Sequence, residues 1–93
     1  MELLVDLHTH TVSSGHAYST ITENALVASR RGLKLLGMTD HGSSMPNVPH
    51  LYHFGNLSII LKEISGIKIL PGVQANIVNH EGELDIPFCY LLR

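Results

Sequence analysis

Leu3-Leu4-Val5-Asp6-Leu7-His8-Thr9-His10 is the stretch on which the reading of this chain turns. Residues 3–7 form a short, mostly apolar run suited to a strand, and a His-x-His pair stands at its carboxyl end. Side chains of extended backbone alternate between faces, so His8 and His10 project the same way and two imidazoles can converge on one cation. By the same alternation Asp6 belongs to that face, where its carboxylate can ligate directly or accept the second ring N–H of a ligating histidine. Taken alone, the pair reads equally well as two half-buried polar residues at a strand end. The rest of the chain decides between the two.

With 93 residues, 44% of them hydrophobic, the chain can form one small domain with a modest core. Six Lys and Arg and a net charge of −2 leave no basic footprint for nucleic acid, the nearest approach being Arg30, Arg31 and Lys34. Lys62, Glu63, Gly66 and Lys68 break the longest apolar runs, so no membrane span is expected. Glu2 and Asp6 make the N-terminus unlike an export signal, and a cytoplasmic location is expected. Cys89 is the single cysteine, so these residues hold no internal disulfide, and it reads as a small apolar side chain. The unusual feature is seven histidines, at positions 8, 10, 16, 41, 50, 53 and 80.

Residues 11–20 are rich in Ser, Thr and Gly and read as a loop that carries His16. Thr22 is expected to cap a helix over residues 23–31, with Ile21 and Leu26 forming a hydrophobic staple, Glu23 at the first helical position and Gly32 as the stop. Residues 34–39 read as a second strand, buried on both faces, that ends in Thr39-Asp40-His41-Gly42. A long loop over 43–54 follows, with Pro46, Pro49, His50, Tyr52 and His53. Asn56 is expected to cap a second helix, because Leu57, Ile60, Leu61 and Ile64 recur at helical spacing before Gly66. Residues 67–70 make a third strand, interrupted by Pro71-Gly72 and resumed over 73–78, and Glu81-Gly82 turns a hairpin between 75–79 and 83–86. The alternation of strands and helices predicts an α/β domain with parallel strands and right-handed crossovers.

Functional residues of such domains gather at the carboxyl ends of the strands, because the loops there share one face. His8, His10 and His16 follow the first strand and His41 follows the second. Four imidazoles on one rim indicate a metal site, and nitrogen ligands point to zinc, manganese or iron over magnesium or calcium. His50 and His53, after the second strand, can line a substrate rim, although with Tyr52 and Phe54 they can equally pin the loop. His80 reads as a solvated turn residue. Ser13, Ser14, Ser43 and Ser44 can contact phosphate or satisfy local backbone groups.

Val5-Asp6-Leu7-His8-Thr9-His10-Thr11, Ser14-Gly15-His16-Ala17-Tyr18-Ser19 and Met38-Thr39-Asp40-His41-Gly42 resemble the opening motifs of the polymerase and histidinol phosphatase (PHP) superfamily. The branch most similar is that of the small bacterial zinc phosphatases, which the chain also resembles at residues 49–54 and 72–76, the whole resemblance spanning about residues 4–86. The resemblance implies a distorted, TIM-like (β/α)7 barrel, of which residues 1–93 would be the first three βα units, and a trinuclear site that hydrolyses small phosphate monoesters with metal-activated water. Carried over, His8 and His10 would bind one metal and His16 and His41 another, with Asp40 supporting them from behind.

Two departures stand out. Gln74 occupies the position of a glutamate that bridges two metals in the family, and an amide brings no charge to that place. The family's later ligands have no counterpart, and residues 87–93 do not resemble it, so a truncated, incomplete or inactive version is expected. Other readings are a metal-binding fragment without catalysis and an amidohydrolase, which also places His-x-His after a first barrel strand; His16 and Thr39-Asp40-His41 favour the phosphatase. Unpaired barrel edges predict self-association or a complementing chain.

Overall fold

The computed structural model describes residues 2–87; the expectation for Cys89 lies outside the described residues. β1 (Val5–Thr9), β2 (Leu35–Met38) and β4 (Ile67–Pro71) form a parallel array, and the two-residue β3 (Glu63–Ile64) adds to β4 in antiparallel sense. The strand order is β1-β2-β4-β3, a small α/β domain built on an open, mixed sheet. β2 is the central strand: Leu36, Gly37 and Met38 are all buried, as an apolar run between two neighbours requires.

One face of the sheet carries the core. Leu36 and Ile69 are in register and point the same way, joined by Ile67, while α1 (Ile21–Arg30) lays Ala25 and Ala28 against them. Ile21, Leu33, Ile60 and Ile64 close the margins of this cluster. The opposite face is uncovered among the described residues: Leu7 is 58% exposed and Leu70 51% exposed.

α1 begins two residues earlier than the sequence suggested. Its N-cap is Thr20, whose hydroxyl accepts the Glu23 N–H at 3.2 Å while Glu23 Oε1 accepts the Thr20 N–H at 3.0 Å. This reciprocal capping box is legible in Thr20-Ile21-Thr22-Glu23 and displaces the Thr22 cap and its staple, leaving Leu26 exposed.

The expected second helix is the main correction. α2 occupies Leu51–Gly55 instead, capped by His50 Nδ1, and a single 3₁₀ turn over Asn56–Ile59 ends it. Ile60 is already extended, and the chain enters β3. Ile60 and Ile64 are also an even number of residues apart, so extended backbone can turn both toward the core, which β-branched side chains favour; Leu61 points to solvent. Gly66 is not a helix stop but, with Ser65, the two-residue turn into β4, both at positive φ (53° and 77°).

The third strand ends at Pro71, and residues 73–78 do not resume it as a continuous strand: Gln74 pairs singly with His41. The terminal hairpin is present as a single antiparallel pairing of Ile77 with Leu84, closed by Gly82 N–H donating to Asn79 O.

Candidate metal centre

The carboxyl ends of β1, β2 and β4 meet at one rim. β1 delivers His8 and His10, the following loop Thr11, Ser14 and His16, and the end of β2 Asp40 and His41. Gln74 is fastened beside them through its backbone, whose N–H donates to Asp40 O and whose carbonyl accepts the Gly42 N–H, each at 2.9 Å, and its side-chain Oε1 lies 2.8 Å from His8 Nε2.

An irregularity in β1 sets the aim of the first pair. Between matched positions β1 takes three steps, Asp6 to Thr9, where β2 takes two, Leu36 to Met38. The extra residue is a bulge, a device that redirects side chains at a strand end. Its backbone crosses so close over β2 that a Cβ on Gly37 would lie 2.5 Å from Leu7 O. Across this bulge Asp6 does not join the imidazoles; its Oδ1 accepts the His8 backbone N–H at 3.1 Å.

The imidazoles gather as two close pairs. His8 Nε2 and His10 Nε2 lie 3.1 Å apart, and His16 Nε2 and His41 Nε2 also 3.1 Å. His10 joins the pairs, its ring stacked on His41 at 4.6 Å, and His10, His16 and His41 each offer a ligand atom within 4.8 Å of the others. Two nitrogens bound at ~2.1 Å to one tetrahedral zinc are about 3.4 Å apart, so the observed 3.1 Å spacing is close to that of a shared cation. The Nδ1 atoms of His10 and His41 are buried without a hydrogen-bond partner, so neither ring is committed to a local hydrogen-bond network through that atom. Burial, then the neighbouring His41 and His8, lowers the pKa of His10 and favours the neutral ring that a ligand must be.

Asp40 organises the rim from beneath. Fully buried, it accepts the Thr11 N–H and hydroxyl, each at 2.7 Å, and the Ser14 hydroxyl at 2.8 Å, while Ser14 Oγ accepts the His41 N–H at 3.0 Å. Burial pushes its carboxyl up, but His53 and the Thr11 and Ser14 donors outweigh this and hold it far below the usual carboxylate range. His53 Nε2 stands 3.4 Å from Asp40 Oδ2, an ion-pair distance without a well-formed hydrogen bond. His53 therefore lies against the support of the histidines.

His50 lies elsewhere: it caps α2, meets the Tyr52 ring edge-on and lines a cleft of about 470 Å³ with Met45, Val48 and Pro49. His80 is exposed at the hairpin turn. Ser44 and Asn76 bind Asp85, which the sequence reading passed over. Asp85 Oδ2 accepts from Ser44 N–H (3.0 Å), Ser44 Oγ (2.8 Å) and Asn76 Nδ2 (2.8 Å), and Oδ1 from Asn76 N–H (2.8 Å). Burial raises its pKa, and these donors, Asn76 foremost, bring it down to about 2. Nothing in the local sequence marks Asp85 as a clamp; its partners are 9 and 41 residues away.

A family model described as the PHP domain matches residues 6–90, and so reaches into the 87–93 segment expected not to resemble the family. The chain is 58% identical over 87 residues to a probable phosphatase of Thermoanaerobacter sp. (strain X514), covering 94% of this chain and 36% of that protein. Probable phosphatases of Photobacterium profundum (55% over 86 residues, 92% of this chain and 35% of the relative) and Acetivibrio thermocellus (52% over 93 residues, 100% and 39%) are similar. The chain thus spans about a third of the length of the curated relatives it matches.

Proposed function

Because this chain belongs to the PHP domain family, we propose that its histidine rim holds divalent metal, zinc in the first instance with manganese or iron as alternatives, and serves hydrolysis of small phosphate monoesters. The observation that carries the proposal is the pair of 3.1 Å Nε2 separations, His8 with His10 and His16 with His41, joined through His10. The relatives' names supply the phosphatase class. A divalent cation bound there supplies Lewis-acid polarisation of a phosphoryl oxygen and a water of lowered pKa.

The protein's own part is placement. His10, kept neutral, presents a lone pair; Asp40 fixes Thr11 and, through Ser14, the backbone of His41, so both histidine-bearing segments are tied to one buried carboxylate. Backbone fastening of Gln74 to Asp40 and Gly42 sets the third side of the rim. For substrate contacts we propose His50, on its separate cleft, and His53, although the Nε2 of His53 is buried against Asp40 beneath the rim.

In the whole protein we place this sheet as the first three βα units of a TIM-like (β/α)7 barrel. The parallel run β1-β2-β4 and the bare face carrying Leu7 and Leu70 support this, since a barrel interior covers such a face. A complementing chain or a second copy could cover it equally. No helix among the described residues is long and apolar enough to cross a membrane; the cytoplasmic location is our proposal from the sequence.

One observation favours a second reading, metal retention without turnover: the ligand cluster contains no carboxylate among the described residues, and Gln74 is neutral. Hydrolysis of a generic aryl phosphate by the purified chain, loaded with zinc or manganese, separates the two. We expect turnover that His10→Ala and His41→Ala abolish and His80→Ala leaves intact. Metal binding with no turnover under any divalent metal establishes the second reading for this chain.

A further inference from the structure

Gln74 is the residue the proposed chemistry leaves unexplained. Its Oε1 lies 2.8 Å from His8 Nε2, which is itself 3.1 Å from His10 Nε2. The amide therefore stands on the His8 side of the rim, while His10, His16 and His41 make a compact group without it. Burial separates the two sides only at their inner ends: His41 is buried and His10 half-buried, whereas His16 and His8 are both exposed. Asp40, the carboxylate beneath the rim, already has its oxygens occupied by Thr11 and Ser14.

Charge then decides how many cations this rim accepts. Neutral imidazoles and a neutral amide offset none of the repulsion between two divalent ions, which is roughly four times that of two unit charges at the same distance. A carbonyl oxygen can still complete one coordination shell, but it cannot neutralise a neighbour. His10 is also shared, close to both His8 and His41, so one occupied side withdraws a ligand from the other.

We propose that Gln74 limits this rim to one tightly held divalent cation, seated on His10, His16 and His41, and leaves the His8–Gln74 side as a weak, readily exchanged position. The inference rests on the metal reading given above and specifies its stoichiometry. It makes Gln74 the residue that sets metal number.

The test is zinc titration of the purified 93-residue chain by calorimetry, with metal content measured after exhaustive dialysis and folding followed by circular dichroism. We expect one retained equivalent in the wild-type chain, one in His8→Ala, none in His41→Ala, and two in Gln74→Glu, whose added carboxylate tightens the second equivalent by about tenfold or more. Two tight equivalents in the wild-type chain overturn the proposal, as do a single equivalent in folded Gln74→Glu and loss of the tight equivalent in His8→Ala. Should Gln74→Glu fail to fold, the wild-type, His8→Ala and His41→Ala titrations decide the number and the seat. A wild-type chain that retains no zinc at all overturns the metal reading itself, a result distinct from two equivalents.

Discussion

Ser14 and Asp40 are both completely buried and bonded to each other, the Ser14 hydroxyl donating to Asp40 Oδ1 at 2.8 Å. Because the same oxygen of Ser14 accepts the His41 N–H, the loop after β1 and the end of β2 are joined through one side chain. Asp40→Asn replaces one acceptor oxygen by a donor that faces the Thr11 or Ser14 donors. It should cost ~2–4 kcal/mol of stability in urea unfolding, the range for leaving buried charged-group partners unmet, and weaken zinc retention along with it. Ser14→Ala should cost less, about 1–2 kcal/mol, with the same direction on zinc.

Metal should stabilise the fold measurably, since a cation that binds only the folded chain shifts unfolding by mass action. At free zinc a hundred times its dissociation constant the gain is about 2.7 kcal/mol. Chelation with EDTA should remove it. Thermal unfolding of His41→Ala should show no response to added zinc, whereas His50→Ala, whose ring caps α2 and touches Tyr52, should respond as the wild-type chain does.

Gly37 should tolerate no side chain. A Cβ there would meet backbone atoms of Leu7 at 2.5, 2.7 and 2.8 Å, and backbone cannot rotate aside. Gly37→Ala should therefore separate β1 from β2, destabilise by about 1–3 kcal/mol as overpacking does, and disturb zinc binding through His8 and His10. Amide exchange at the β1–β2 pairing should rise in the variant. Gly32, around which there is open space, makes a poor control because its φ is +84°; His80→Ala, on an exposed turn, is the suitable one.

Asp85 gives the acid dependence its sign. Its folded pKa, about 2, lies below the ordinary value of 3.8, so the folded chain binds fewer protons than the unfolded one in between. Its contribution is complete above about pH 4 and is lost as pH falls toward 2. The size is at most ~2 kcal/mol and smaller in practice, because the carboxylate is partly exposed and screened. Urea unfolding between pH 5 and 2 should be less pH-dependent in Asp85→Asn, and exchange of the Ser44 and Asn76 amides should be faster. Asp40, depressed still further, keeps its contribution to lower pH than Asp85 does.

Short-range chemistry was legible in the chain wherever neighbours in sequence decide the outcome. The apolar run of β2, the third strand from Ile67, the helix over most of 21–30 and the Glu81-Gly82 turn follow from periodicity and turn residues. Where two periods fitted the same residues, local pattern failed. Ile60 and Ile64 suit a helix by spacing of four and a strand by spacing of two, and the core contact on β4 favoured the strand.

The histidines divide the same way. That His8, His10, His16 and His41 are available at strand ends was readable from their positions after apolar runs, because parallel strands present their carboxyl ends on one side. That they form two 3.1 Å pairs joined by His10, that Asp6 turns back on its own backbone, and that Gln74 sits against His8 depend on a bulge and on bridges between segments far apart in the chain. Composition and order determine which ligands a chain can offer. Distances of a few ångström between residues 25 to 66 positions apart exist only once the sheet has closed, and those distances decide which side chains stand within reach of a common cation.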